Sequence, residues 1–162
     1  MRRNRGFRAT ALVSIALGLV LAVTANITGS RILLATQWIV LAVAFGVVAG
    51  VMFSYLTTVT RVHVGHLYIA NSVYLLLAVL FYCIYSAAAA LNPHAFVQTA
   101  TGPTHAPADL LYFSLVTLTT LGYGDIVPVG GLVRMLAGLE AGTGVLYVAI
   151  TIATLVGAYR RS

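Results

Sequence analysis

The chain contains no lysine, only three acidic residues and a single cysteine in 162 positions. Each scarcity excludes something. One cysteine, Cys83, cannot close a disulfide within the chain, so a stapled secreted scaffold is ruled out. Its place inside an apolar run marks it as a small core residue. Charged residues make up 7% of the chain and hydrophobic ones 60%, a balance that no soluble domain of this size can bury. The acids Asp109, Asp125 and Glu140 are far apart. No acid, histidine and nucleophile converge on one predicted site, so enzymatic chemistry is not expected. The net charge of +6 comes from arginines at segment ends rather than from a clustered soluble face. It therefore speaks for membrane topology and not for nucleic-acid binding.

What the chain does have is long apolar runs. Crossing a bilayer takes about 20 apolar residues as a helix, and residues 9–27, 32–56, 66–91 and 132–159 qualify. Residues 108–121 are too few to span and lead into a glycine-rich run, which predicts a re-entrant helix. Non-helical backbone at membrane depth is tolerated only where it lines a cavity or is buried in protein. The fold class expected is an all-α membrane protein with four transmembrane helices and a re-entrant segment. Arg2, Arg3, Arg5 and Arg8 precede the first span, Arg61 joins the second to the third, and Arg160 and Arg161 follow the fourth. Only Arg31 and Arg134 fall on the other side. The arginine-rich side is expected to be cytoplasmic, with both termini inside and the re-entrant segment opening outward. Residues 1–23 also fit a signal peptide cut near Val23-Thr24-Ala25. Small residues spaced by four, Ser14, Gly18 and Ala22 in the first span and Ala42, Gly46, Gly50 and Ser54 in the second, favour a retained, packed helix pair instead.

Between the re-entrant helix and the last span stands Thr119-Thr120-Leu121-Gly122-Tyr123-Gly124-Asp125. Gly122 and Gly124 lack a Cβ and permit the alternating dihedrals that aim successive carbonyls at one axis. This run resembles the selectivity filter of the potassium channel family, whose usual form has valine where Leu121 stands. The resemblance extends over His66 to Arg161, in the order outer helix, turret, pore helix, filter, inner helix. It implies a division into an N-terminal helix pair, 1–62, and a pore module, 63–162. It also implies a homotetramer in the lipid bilayer of the plasma membrane, since one chain supplies one re-entrant segment. Potassium would be the permeant ion, held by Thr120, Leu121, Gly122 and Tyr123, and no cofactor is expected. Tyr123 would brace the ribbon from behind.

Further roles follow from alignment with that family. Tyr112 and Phe113 stand where many relatives carry paired tryptophans, and Asp125 would ring the outer mouth with carboxylate. Tyr112 is expected to donate its hydroxyl to Asp125. Asp109 sits at the start of the pore helix, where an acid suits the positive dipole end. Gly144, ten residues after Arg134, matches the family's hinge glycine, with a packing glycine beside the filter as the alternative. Helical phase puts Val145, Val148, Ile152 and Val156 on one stripe toward the axis, with Ile152 or Val156 as the gate. Glu140 lies off that stripe, with Thr143, Tyr147 and Thr151 near its own face. An acid inside a span is functional by default. Ser114 or Thr117 behind the filter are its expected neighbours, and the neutral form would donate a hydrogen bond.

Other features carry less. His63 and His66 flank Gly65 near the cytoplasmic face, and interfacial seating competes with a sensing role. Asn26-Ile27-Thr28 matches a glycosylation sequon but lies too near the membrane. No span carries arginines at three-residue spacing, so voltage sensing is not expected, nor is a cytoplasmic ligand-binding domain after the fourth span. The rival readings are a weakly selective cation channel, an uptake transporter (disfavoured by the single intact Gly-Tyr-Gly) and a non-conducting scaffold or regulatory subunit.

Overall fold

A computed structural model describes residues 18, 20, 23–24, 27–57, 64–99, 102–103 and 106–159. Most of the first apolar segment therefore lies outside the described residues. So do its signal-peptide alternative, Ser14, Ala22, Asn26, His63 and the arginines at 61, 160 and 161.

Three long helices follow the apolar runs: α1 (Arg31–Thr57), α2 (Val64–Leu91) and, at the end of the chain, α4 (Gly131–Tyr159). Each contains a stretch of 27 residues long and apolar enough to cross a bilayer. The chain is an all-α membrane protein. Between α2 and α4 lies α3 (Pro107–Leu118), whose 12 residues cannot span. Pro107 opens it at a position that needs no N–H donor, and Asp109 occupies its first turn.

A small antiparallel sheet of order β2-β1-β3 joins two strands of the segment expected to be the turret, β1 (Phe96–Gln98) and β2 (Gly102–Pro103), to β3 (Ile126–Pro128), which follows the glycine-rich run. Val97 faces Val127 on one side and Pro103 on the other. Strands of two and three residues are too short for any period to reveal them in sequence. β3 begins right after the glycine-rich run, so the sheet fixes where that run ends.

Packing forms two buried clusters. At the sheet end, Tyr85, Phe96 and Phe113 meet edge to face, with ring centroids 5.2 to 5.4 Å apart. Each such pair contributes about 0.5–1.5 kcal/mol beyond area burial, and together they tie α2, β1 and α3. At the opposite end, Ala49, Leu56, Ala70, Val73 and Tyr147 join α1, α2 and α4. The Tyr147 hydroxyl there donates to the Ala70 carbonyl at 2.6 Å. Cys83 is buried, as its apolar setting implied.

The buried residues of α1 are Ala35, Ala42, Ala49 and Leu56, a spacing of seven. The four-residue stripe thus needs correction. Ala42 is buried and Gly46 approaches Leu80, but Gly50 and Ser54 are exposed. Steps of four rotate about 40° each around a helix, whereas a step of seven drifts only about 20°. A straight partner can follow the second and not the first. The first span does reach the second at Gly18, where a Cβ would come within 3.1 Å of the Leu41 side chain.

Candidate ion-coordinating site

The site begins where α3 ends. Thr119 is still right-handed, and Thr120 then turns to φ +58°. The Thr120 N–H donates to the Thr117 carbonyl and the Leu121 N–H to the Val116 carbonyl, both at 2.9 Å. This bond pair is a Schellman motif, whose left-handed residue is usually glycine. A β-branched residue in that conformation is an outlier, and such strain of about 1–3 kcal/mol collects at functional sites. Gly122 follows at φ +56° and Gly124 at φ +77°. Every second residue from Thr120 to Gly124 is thus left-handed.

The amides of this ribbon turn back toward the helix: the Gly122 N–H also reaches the Val116 carbonyl, at 3.3 Å. Among the described residues, no hydrogen bond is donated to any carbonyl from Thr120 to Gly124. The next acceptor is the Asp125 carbonyl, which takes the Thr99 N–H at 2.9 Å and the Thr99 hydroxyl at 3.3 Å. Buried backbone oxygens need partners. The row from Thr120 to Gly124 is exposed on the protomer surface, so its oxygens are open to a partner or to solvent. Tyr123 is 67% exposed in the protomer. An aromatic flanked by two left-handed glycines is carried outward from the helices behind it.

The sheet holds the exit of the ribbon. Beyond the β1–β3 pairing, the Val129 N–H donates to the Ala95 carbonyl at 2.9 Å. The Tyr112 side chain lies close to the Asp125 carboxylate, whose Oδ1 accepts the Ile126 N–H at 3.1 Å. Tyr112→Phe is expected to shorten conducting bursts in single-channel records about tenfold, the equivalent of one hydrogen bond to a charged group, with ion preference unchanged. Burst lengths equal to those of the parent protein would remove Tyr112 from filter support.

Behind the ribbon, Glu140 is fully buried, with Ser114 and Tyr85 equally so. Glu140 Oε1 lies 2.5 Å from the Ser114 hydroxyl, and Oε2 accepts the Tyr85 hydroxyl at 2.5 Å. Ser114 Oγ is also 2.8 Å from the Ala78 carbonyl. Of the two expected neighbours, Ser114 is brought to Glu140, while Thr117 contributes its carbonyl to the Schellman motif. Tyr85 was not foreseen. Its signal, a phenol needing a partner inside an apolar run, is shared with several other tyrosines.

One helical turn beyond Glu140, α4 touches the end of α3. A Cβ on Gly144 would stand 2.0 Å from the Leu118 carbonyl oxygen. That oxygen also accepts the Tyr74 hydroxyl at 3.2 Å. Close approach requires a glycine here, and α4 runs unbroken through it. Val145 and Val148 share a recess of about 380 Å³ with Thr120, Leu118 and Gly144. Ile152 and Val156 are exposed further along α4, outside that recess. His66 stacks on Tyr55 with ring centroids 5.9 Å apart, at the α1–α2 connection.

Residues 69–161 match the family described as ion channel. Over 63 residues the chain is 46% identical to two pore potassium channel c of Oryza sativa subsp. japonica, covering 39% of this chain and 12% of the rice protein. A protein of Rhodopseudomonas palustris provisionally named as a potassium channel protein is 35% identical over 51 residues, covering 32% of this chain and 12% of its own length. An uncharacterized membrane protein of Bacillus subtilis is 31% identical over 65 residues, covering 40% of this chain and 19% of that protein. The chain thus corresponds to less than a fifth of each of these relatives. No solved structure matches it.

Proposed function

The chain belongs to the ion channel family, matched over more than half of its length, and on that premise we propose that it is a potassium channel. Four copies meet around an axis and present the carbonyls of Thr120, Leu121, Gly122 and Tyr123 as successive rings, with the Thr120 hydroxyl at the inner end. The observation that carries this reading is the ribbon itself: left-handed residues at 120, 122 and 124, with carbonyls that accept no hydrogen bond from the described residues. Oxygens held at fixed spacing replace the water shell of an ion without having to reorganise. The ion moves passively down its gradient, so neither enzymatic chemistry nor a cofactor is involved, and potassium is the permeant species.

The remaining parts take roles consistent with that centre. Asp125 raises cation concentration at the outer mouth. The C-terminal end of α3 points its negative dipole toward the recess lined by Val145 and Val148. Apolar rings at Ile152 or Val156 close the far end by excluding water. Residues 63–162 form the pore module and residues 1–62 a helix pair embedded in the surrounding bilayer. Both termini face the cytoplasm of a cell whose plasma membrane the channel crosses, and no described span carries arginines at three-residue spacing.

The test is purified protein reconstituted in liposomes. Barium-sensitive potassium flux and a reversal potential that follows the potassium gradient over sodium are expected. Equal sodium and potassium permeability would reassign the chain to weakly selective cation channels. A tetramer that passes no ion would make it a scaffold, and a stable monomer would end the reading altogether.

A further inference from the structure

Counting protons at Ser114 leads beyond the filter. Its hydroxyl has one hydrogen but lies 2.8 Å from the Ala78 carbonyl oxygen and 2.5 Å from Glu140 Oε1. Two oxygens this close without a hydrogen between them repel. If Ser114 gives its proton to an ionised Glu140, it meets the Ala78 carbonyl lone pair to lone pair. If it gives the proton to Ala78, which can only accept, the contact with Glu140 needs a proton from the acid. The Tyr85 hydroxyl supplies the bond to Oε2. One assignment fills all three contacts: Glu140 O–H to Ser114 Oγ, Ser114 O–H to the Ala78 carbonyl, and Tyr85 O–H to Glu140.

The surroundings agree. Glu140, Ser114 and Tyr85 are each 0% exposed, and both hydrogen-bond partners of the acid are neutral hydroxyls. Tyr74 on α2 gives its hydroxyl to the Leu118 carbonyl and brings no cation to the acid. Arg134 lies six residues away on the same helix, roughly 9 Å along its axis, and is exposed. A carboxylate buried there would have no compensating cation among the described residues.

We infer that Glu140 is a neutral carboxylic acid whose proton completes a relay fixing the pore helix α3 between α2 and α4, and that it is a positioning residue for the filter. Ser114 sits two residues before Val116, whose carbonyl holds the Leu121 and Gly122 amides. Any slack at Ser114 therefore passes directly to the first carbonyl rings. Each protomer contributes one such pin, so the filter is anchored by neutral acids that add no charge behind it.

The functional arm of the test rests on the channel reading; the spectroscopic arm does not. Infrared spectra of the protein in liposomes at neutral pH are expected to show a protonated carboxylic C=O band that vanishes in Glu140→Gln. A carboxylate band lost in that variant would overturn the assignment, whether or not the protein conducts. In flux assays Glu140→Gln is expected to stay within about twofold of the parent protein, because an amide N–H replaces the acid O–H toward Ser114 while its oxygen still accepts from Tyr85. Ser114→Ala, which removes the middle link and little volume, is expected to shorten conducting bursts about tenfold. Unchanged bursts in Ser114→Ala would overturn the positioning role. So would a Glu140→Gln protein as deficient as Glu140→Ala. Should the parent protein fail to conduct while the protonated band is present, the channel reading falls and the relay stands.

Discussion

Replacing Gly144 by alanine is expected to reduce potassium flux per reconstituted channel more than tenfold. The added Cβ would sit 2.0 Å from the Leu118 carbonyl oxygen and 3.0 Å from its carbon. The obstacle is backbone, so no side chain can swing aside, and ordinary contact demands a displacement of more than about 1 Å. Overpacking of this kind costs about 1–3 kcal/mol per site, and a tetramer would suffer it four times. What moves decides the phenotype. Leu118 is held by Tyr74, and it stands two residues before Thr120. A pore helix pushed off α4 carries the inner end of the filter with it and disturbs the recess shared by Thr120 and Val145. Gly142→Ala supplies the control, because a Cβ there meets nothing within 4 Å in its own protomer. It should mainly improve helix propensity, by up to about 1 kcal/mol. Thermal stability and flux measured on both variants would check the argument. A Gly144→Ala channel conducting like the parent protein would mean that the glycine serves neither packing nor bending.

The parts of this fold legible in the sequence were those that lipid enforces. Spans read as 32–56, 66–91 and 132–159 became helices Arg31–Thr57, Val64–Leu91 and Gly131–Tyr159, because every backbone group in hydrocarbon must be satisfied within its own helix. The start of the pore helix was marked by Pro107 and Asp109. Its end was not: it stops at Leu118, three residues short of the expected 121. The stop signal there is Thr120 in a conformation usually reserved for glycine, and a threonine gives no such warning. Gly122 and Gly124 were legible from residue type, since a positive φ selects for a missing Cβ. The turret sheet, the seven-residue seam of α1 and the choice of Tyr85 as partner for Glu140 were not. All three depend on which elements approach one another, and apolar periodicity is silent about that in a chain that is apolar nearly all round.

Gly122→Ala is expected to abolish selective potassium flux, with a loss of at least a hundredfold, while Leu121→Val stays within about twofold of the parent protein. The contrast between neighbouring positions is the point. Leu121 offers the site only its carbonyl, and its side chain is 56% exposed in the protomer, so one aliphatic group serves as well as another. Gly122 stands at φ +56° with open space around the position of a Cβ; the penalty is therefore conformational, about 1–2 kcal/mol for each of four copies. Thr120 shows that a non-glycine residue can be held at nearly the same φ, +58°. There, however, the hydrogen bonds of Thr120 and Leu121, both 2.9 Å, enforce the turn, whereas the Gly122 N–H makes only a 3.3 Å contact to the already shared Val116 carbonyl. With so little holding it, an alanine at 122 relaxes to negative φ and rotates the peptide that carries the Leu121 carbonyl. The second ring of oxygens then leaves the axis. Rubidium uptake into liposomes, with sodium as competitor, separates the two variants. Selective uptake by Gly122→Ala at the rate of the parent protein would show that the alternating ribbon is not what coordinates the ion.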